Sequence, residues 1–114
     1  MPYTYLPSTV TFRFTDILRG YIAQRCFWAH DMHLGFSAAN VYQERNEHDL
    51  SKDLDSEMIM YKCIDELIGI LNDCKLSGDQ KENLIIIYEQ LAAHKIVELL
   101  ELEILHRWLN CMPK

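Results

Sequence analysis

The sequence predicts a predominantly helical α+β chain, with two or three short strands and about four helices. Three observations lead to that class. TVTFRF at 9–14 alternates apolar and polar residues with period two, the spacing of a strand. Longer stretches further on carry apolar residues at the spacing of an amphipathic helix. Between them, HLGF at 33–36 and NVYQ at 40–43 are too short for helices and rich enough in apolar residues for strands.

The elements follow in order. MPYTYLPS, with Pro2 and Pro7, predicts an extended lead-in over 1–8. In 9–14, Val10, Phe12 and Phe14 take one side and Thr9, Thr11 and Arg13 the other. Thr15 or Asp16 is then suited to cap a helix running to about His30, its apolar face set by Ile17, Leu18, Tyr21, Ile22, Cys26 and Ala29. Gly20 inside it costs about 1 kcal/mol relative to alanine, which predicts close packing against that position. The charged run ERNEHDL at 44–50 reads as a loop. A second helix is expected over 51–75, with Leu54, Met58, Tyr61, Cys63, Ile64, Leu67, Ile68 and Leu71 mostly on one stripe. In LSGD at 76–79, Gly78 suits a C′ position and Asp79 caps a third helix over about 80–93. After a break near His94 and Lys95, a fourth helix is expected over about 97–110. The whole reads as one domain over 1–114, with candidate site residues in 9–50 and helical packing in 51–114. Two or three strands make a weak sheet alone, though helices packed on them can compensate; the alternative is that the chain is a portion of a larger α/β domain whose other strands lie outside it.

Composition narrows the function. Nearly half the residues are hydrophobic, enough for a core. Eleven basic against seventeen acidic residues give a net charge of −6, and no basic run occurs, which argues against nucleic acid as a partner. No apolar run approaches the roughly twenty residues of a membrane span, and MPYTYLPSTV lacks the charged start and apolar segment of a secretory leader. Cys26, Cys63, Cys74 and Cys111 are widely spaced in apolar surroundings, so they read as reduced structural thiols.

Several motifs bear on chemistry. Asp16, at the junction of a predicted strand and helix, reads first as an N-cap and second as a general base or metal ligand. His30 and His33 flank Asp31 in WAHDMHLG, without a third ligand to close a metal site. ERNEHDL holds Arg45, suited to an anionic group, with Asn46 and His48 beside it. A solvated loop capping the next helix would look much the same. Asp53-Leu54-Asp55 matches a metal-chelating DxD, but a predicted first helical turn favours acids without any metal. The common nucleotide, hydrolase and zinc-protease motifs are absent.

The run FRFTDILRGYIAQRCFWAHDMHLGF, followed by VYQERNEHDLSKDLDSE, resembles the C-terminal catalytic portion of STELLO-type proteins, a glycosyltransferase-like family. The shared block is R-x-x-DI-x-RG-x-x-AQ-x-x-x-W, and the tail ENLIIIYEQLAAHKIVELLELEILHRWL is also similar. The resemblance runs from about Thr9 onward. It implies a GT-A-like, nucleotide-sugar-dependent parent fold of which this chain is the C-terminal, acceptor-side part. In that setting Asp16 is a candidate base or acceptor-orienting group, with His48 as a second catalytic candidate. Arg19, Arg45 and Asn46 are candidates for binding substrate, the arginines by steadying diphosphate or acceptor charge. The resemblance also implies a divalent metal, Mn or Mg, neutralising the leaving diphosphate. Here the position of a C-terminal histidine ligand is taken by Gln43, a poor ligand, for which His48 is the available substitute. The donor-binding half with its strand-borne DxD precedes this region in such folds, and nothing before Thr9 supplies it, so the chain is expected to be inactive alone. The competing expectation is a non-enzymatic helical module that docks a protein partner through an apolar stripe.

Overall fold

The computed structural model describes residues 2–42, 44 and 50–112, and within 50–60 it describes only the side chains of Leu54 and Met58. A 3-10 turn at Pro2–Thr4 precedes four helices: α1 Phe12–Ala29, α2 Leu50–Asp73, α3 Gln80–Ala93 and α4 Leu100–Asn110. Among the described residues there is no strand, so the expected α+β class is corrected to all-helical.

The expected first strand is the start of α1. Thr11, with φ −62° and ψ 150°, holds the N-cap position, and the helix begins at Phe12. Phe14, Leu18, Ile22 and Cys26 are all buried, each four residues after the last. The helical period therefore reaches back through Phe14, and Phe12, its partner in the alternating pattern, is 90% exposed. Six alternating residues fit either period, and burial against α2 and α3 decides for the helix. Of the other two expected strands, 33–36 and the described part of the second, 40–42, lie in irregular chain, where Leu34, Phe36, Val41 and Tyr42 are exposed. Without neighbouring strands to pair their backbone groups, apolar content alone makes no ladder.

The lead-in is corrected too. It is a packed strap: Tyr3 and Tyr5 are buried with the core of all four helices. Tyr3 meets Phe27 edge-on at 5.8 Å, and Tyr5 meets Tyr88 and Trp108 at 5.4 and 5.3 Å. Its hydroxyl takes a hydrogen bond from buried Asn83 Nδ2 at 3.2 Å in the case of Tyr3. α1 packs on α2 and α3, α3 packs on α4, and the 3-10 turn rests on α1 and α3.

The helix ends explain the connections. α1 and α3 both close in Schellman motifs, with Met32 N–H donating to Phe27 O at 2.8 Å and Ile96 N–H to Leu91 O at 2.9 Å. The left-handed residues are Asp31 (φ 57°) and Lys95 (φ 61°), not glycines. Asp79 caps α3 as expected, accepting from Lys81 N and Glu82 N at 3.0 and 3.2 Å. Gly78 does not terminate α2 from a left-handed conformation. Arg25 covers that end instead, donating to Leu71 O at 2.8 Å and Cys74 O at 2.9 Å. Nothing lies within 4 Å of a side chain at Gly20, so the expected close packing there is also corrected.

Candidate functional site

The strap and α1 together enclose a surface depression of about 360 Å³. Leu6 of the strap forms one wall, and Phe12, Arg13, Asp16, Ile17 and Arg19 of α1 form the rest. Thr15 also lines it, and its hydroxyl donates to Pro7 O, tying the strap to the helix. Arg13, Asp16 and Arg19 stand three residues apart, a spacing that keeps successive side chains on neighbouring positions of one helix face.

Two of the five sequence-predicted site residues meet here. Asp16 is exposed on the second turn of α1 and Arg19 is half-buried beside it. Asp16 is not the N-cap, since Thr11 occupies that position, so capping no longer explains its placement. Arg45, Asn46 and His48 lie outside the described residues, as does Gln43. The two histidines of WAHDMHLG are held apart in role. His30 Nε2 is hydrogen-bonded to the Tyr3 hydroxyl at 2.7 Å, whereas His33 is exposed, 3.9 Å from the Asp31 carboxylate. Asp53 and Asp55 fall within α2.

The depression suits a divalent cation poorly. Among the described residues that line it, Asp16 is the one carboxylate and shares the helix face with Arg13 and Arg19, and no three metal-ligating side chains converge. Hard cations are held by several oxygen ligands. The groups present suit a ligand that both donates and accepts hydrogen bonds: a carboxylate accepts, and a guanidinium donates.

The sequence reading missed Glu101. It lies in the first turn of α4, is fully buried, and accepts hydrogen bonds from the strap. Ser8 N–H reaches both of its oxygens at 3.0 Å, Thr9 N–H donates at 2.8 Å, Thr9 Oγ1 at 2.7 Å, and the Tyr5 hydroxyl donates to Oε1. Thr9 Oγ1 in turn accepts from Glu98 N at 3.0 Å. Burial pushes the Tyr5 phenol above its ordinary range, and its bond to Glu101 adds to the shift because a phenolate there would meet a carboxylate. The readable signal was a carboxylate four residues before Leu105 and eight before Leu109, on the buried face of α4. Glu101 is enclosed by the chain's own donors, so its role is to fix the strap.

A second concavity of about 320 Å³ lies between α1 and α2, lined by Tyr21, Gln24, Trp28, Ile68 and Leu71 among others. Trp28 and Ile68 are 48% and 42% exposed at its rim.

Comparison with known proteins adds one finding. A family model described as STELLO glycosyltransferases matches residues 13–113, nearly the whole chain. No curated protein and no solved structure matches.

Proposed function

We propose that this chain, which belongs to the STELLO glycosyltransferase family, supplies the acceptor-side, C-terminal region for sugar transfer from a nucleotide sugar. The carrying observation is the meeting of Asp16 and Arg19 with Arg13 at one depression. The Asp16 carboxylate would accept the proton of an acceptor hydroxyl, or orient that hydroxyl, as it attacks the anomeric carbon. Arg19 and Arg13 would hold the acceptor's oxygens or nearby negative charge. Arg45, Asn46 and His48 remain candidates for the same site, to be tried by substitution. The donor nucleotide sugar belongs to a separate half, because the only DxD pair of this chain lies along helix α2. Transfer then requires that half, and the chain alone is inactive.

The test is Asp16→Asn and Arg19→Ala, measured for sugar transfer in the complete enzyme and for melting temperature in parallel. A general base contributes about 10²–10⁴-fold, so Asp16→Asn is expected to lower transfer by at least about a hundredfold with the melting temperature unchanged. Transfer at the unmodified rate overturns the reading. A thermal-shift series with UDP- and GDP-sugars, with and without Mn²⁺, tests the separate donor half. A metal-dependent rise for this chain alone would show that the donor site is here.

One observation favours a second reading, a helical docking module. Leu54, Met58, Tyr61 and Ile68 are exposed along α2, at the spacing of one helical stripe. An apolar face of that kind is how helices engage protein partners. Unchanged transfer in Asp16→Asn, together with loss of a partner complex in Tyr61→Ser, would select it.

A further inference from the structure

We propose that the depression between the strap and α1 binds a neutral pyranose ring, stacked on Phe12 with its hydroxyls held by Asp16 and the flanking arginines. The inference rests on the acceptor-side reading and names the acceptor class, a glycan.

Phe12 is the starting point. Two residues away, Phe14 is completely buried, yet Phe12 is 90% exposed at the first position of α1. An aromatic ring in water leaves unused the free energy that burial of its face would yield. Leu6, 46% exposed, faces the same depression from the strap, and Ile17 adds a third apolar side chain. The volume, about 360 Å³, lies in the range of small-molecule sites.

The walls are held, not incidental. The strap is fixed on one side of Leu6 by Tyr5 donating to Glu101, and on the other by Thr15 donating to Pro7 O and by Ser8 and Thr9 on Glu101. Leu6 therefore stands at a set distance from α1.

The chemistry of the lining selects the ligand class. A phosphate or diphosphate is best met by arginines and backbone N–H groups, and the Asp16 carboxylate, lining the same depression as Arg13 and Arg19, opposes an anion. A purely apolar ligand has no use for three charged side chains. A pyranose has both surfaces required: a face of C–H groups to lie on an aromatic ring, and a rim of hydroxyls that donate to a carboxylate and accept from guanidinium groups.

Saturation-transfer NMR on the full chain tests this, with neutral tetrasaccharides of gluco, manno, galacto and xylo configuration as probes and inorganic diphosphate as the anionic control. At least one tetrasaccharide is expected to receive saturation at its ring C–H protons. Phe12→Ala should weaken it about tenfold or more, and Phe12→Trp should preserve it. The melting temperature of Phe12→Ala should stay at the wild-type value, because the ring is 90% exposed. Failure of every tetrasaccharide to bind, or binding indifferent to Phe12→Ala, overturns the pyranose assignment. Binding of diphosphate alone, strengthened by Asp16→Asn, overturns it too and leaves the depression as an anion site. Because the acceptor-side reading is tested by transfer in the complete enzyme, its failure is read separately from that of the pyranose.

Discussion

Replacing Glu101 by alanine removes the acceptor for the Tyr5 hydroxyl, for the Ser8 and Thr9 amides and for the Thr9 hydroxyl in one step. The size of the loss follows from where those donors lie. Tyr5 is 4% exposed, so its hydroxyl has no solvent to turn to, and an orphaned buried donor costs about 1–3 kcal/mol. Ser8 is exposed and Thr9 half-buried, so water recovers part of their loss. The expected destabilisation is therefore about 3 kcal/mol, at the lower end of the roughly 3–5 kcal/mol seen when one partner of a buried charged network is removed. Glu101→Gln keeps the volume but turns an amide NH₂ toward donors, for about 2 kcal/mol. Tyr5→Phe removes one donor and leaves the others, for about 1 kcal/mol. Urea unfolding read by tryptophan fluorescence is the assay, since Trp108 packs on Tyr5 at 5.3 Å. The Tyr5→Phe, Glu101→Gln double variant should lose less than the sum of the two, because both act on one bond. A loss below about 1 kcal/mol for Glu101→Ala, or strict additivity in the cycle, refutes the role given to this carboxylate.

Gly20→Ala should stabilise the chain by about 0.5–1 kcal/mol in the same unfolding assay, because the position is exposed, helical and open to a methyl group. Lys95→Gly should stabilise by about 1 kcal/mol, since Lys95 is exposed and held at φ 61°, where glycine carries no Cβ penalty. Burial pushes the Cys26 thiol from 9.0 up to about 12 and raises the phenols of Tyr3 and Tyr88. The unfolded chain gives up these protons first, so their contribution to stability is intact below about pH 9 and falls as pH rises toward 12, which melting curves across that window will show. Reaction with iodoacetamide at pH 8 should accordingly label exposed Cys111 and spare Cys26 in the folded protein.

The third helix was legible because two independent signals agreed: a capping aspartate at 79 and an apolar period from Leu84 to Leu91. The first was misjudged at its start because TVTFRF satisfies period two over its own six residues, while its helical period appears only when Phe14 is read together with Leu18 and Ile22. That error carried into the site. Placing Phe12 and Arg13 in a strand separated them from Asp16 and Arg19, with which they line one depression. Glu101 was hidden for a different reason. Its partners Tyr5, Ser8 and Thr9 lie more than ninety residues away in sequence, and no local pattern brings a strap at one end of the chain to a helix at the other. The lead-in was underestimated by the same route: its two prolines argued for an extended segment without a helix, yet Pro2–Thr4 form a 3-10 turn, and Tyr3 and Tyr5 acquire their core role only from the helices they meet.

That connection makes stability and site geometry one problem. Leu6 has no anchor of its own; its position follows from Tyr5, Pro7, Ser8 and Thr9, all but Pro7 bound to Glu101. A variant that loosens the carboxylate clamp should therefore weaken ligand binding at a depression Glu101 does not line. Glu101→Gln is the informative change, because at low temperature the core of α1 and α3 remains folded while the strap loses its best acceptor. Saccharide binding is expected to fall by a few fold in that variant, with Phe12→Ala adding its own loss. The reverse coupling also follows by linkage: a saccharide that contacts Leu6 and Phe12 together holds the strap against α1. It should slow amide exchange at Ser8 and Thr9, whose N–H groups are bonded to Glu101. Exchange at those two amides that ignores a bound saccharide would mean the strap and the depression are independent, and that Leu6 is a bystander.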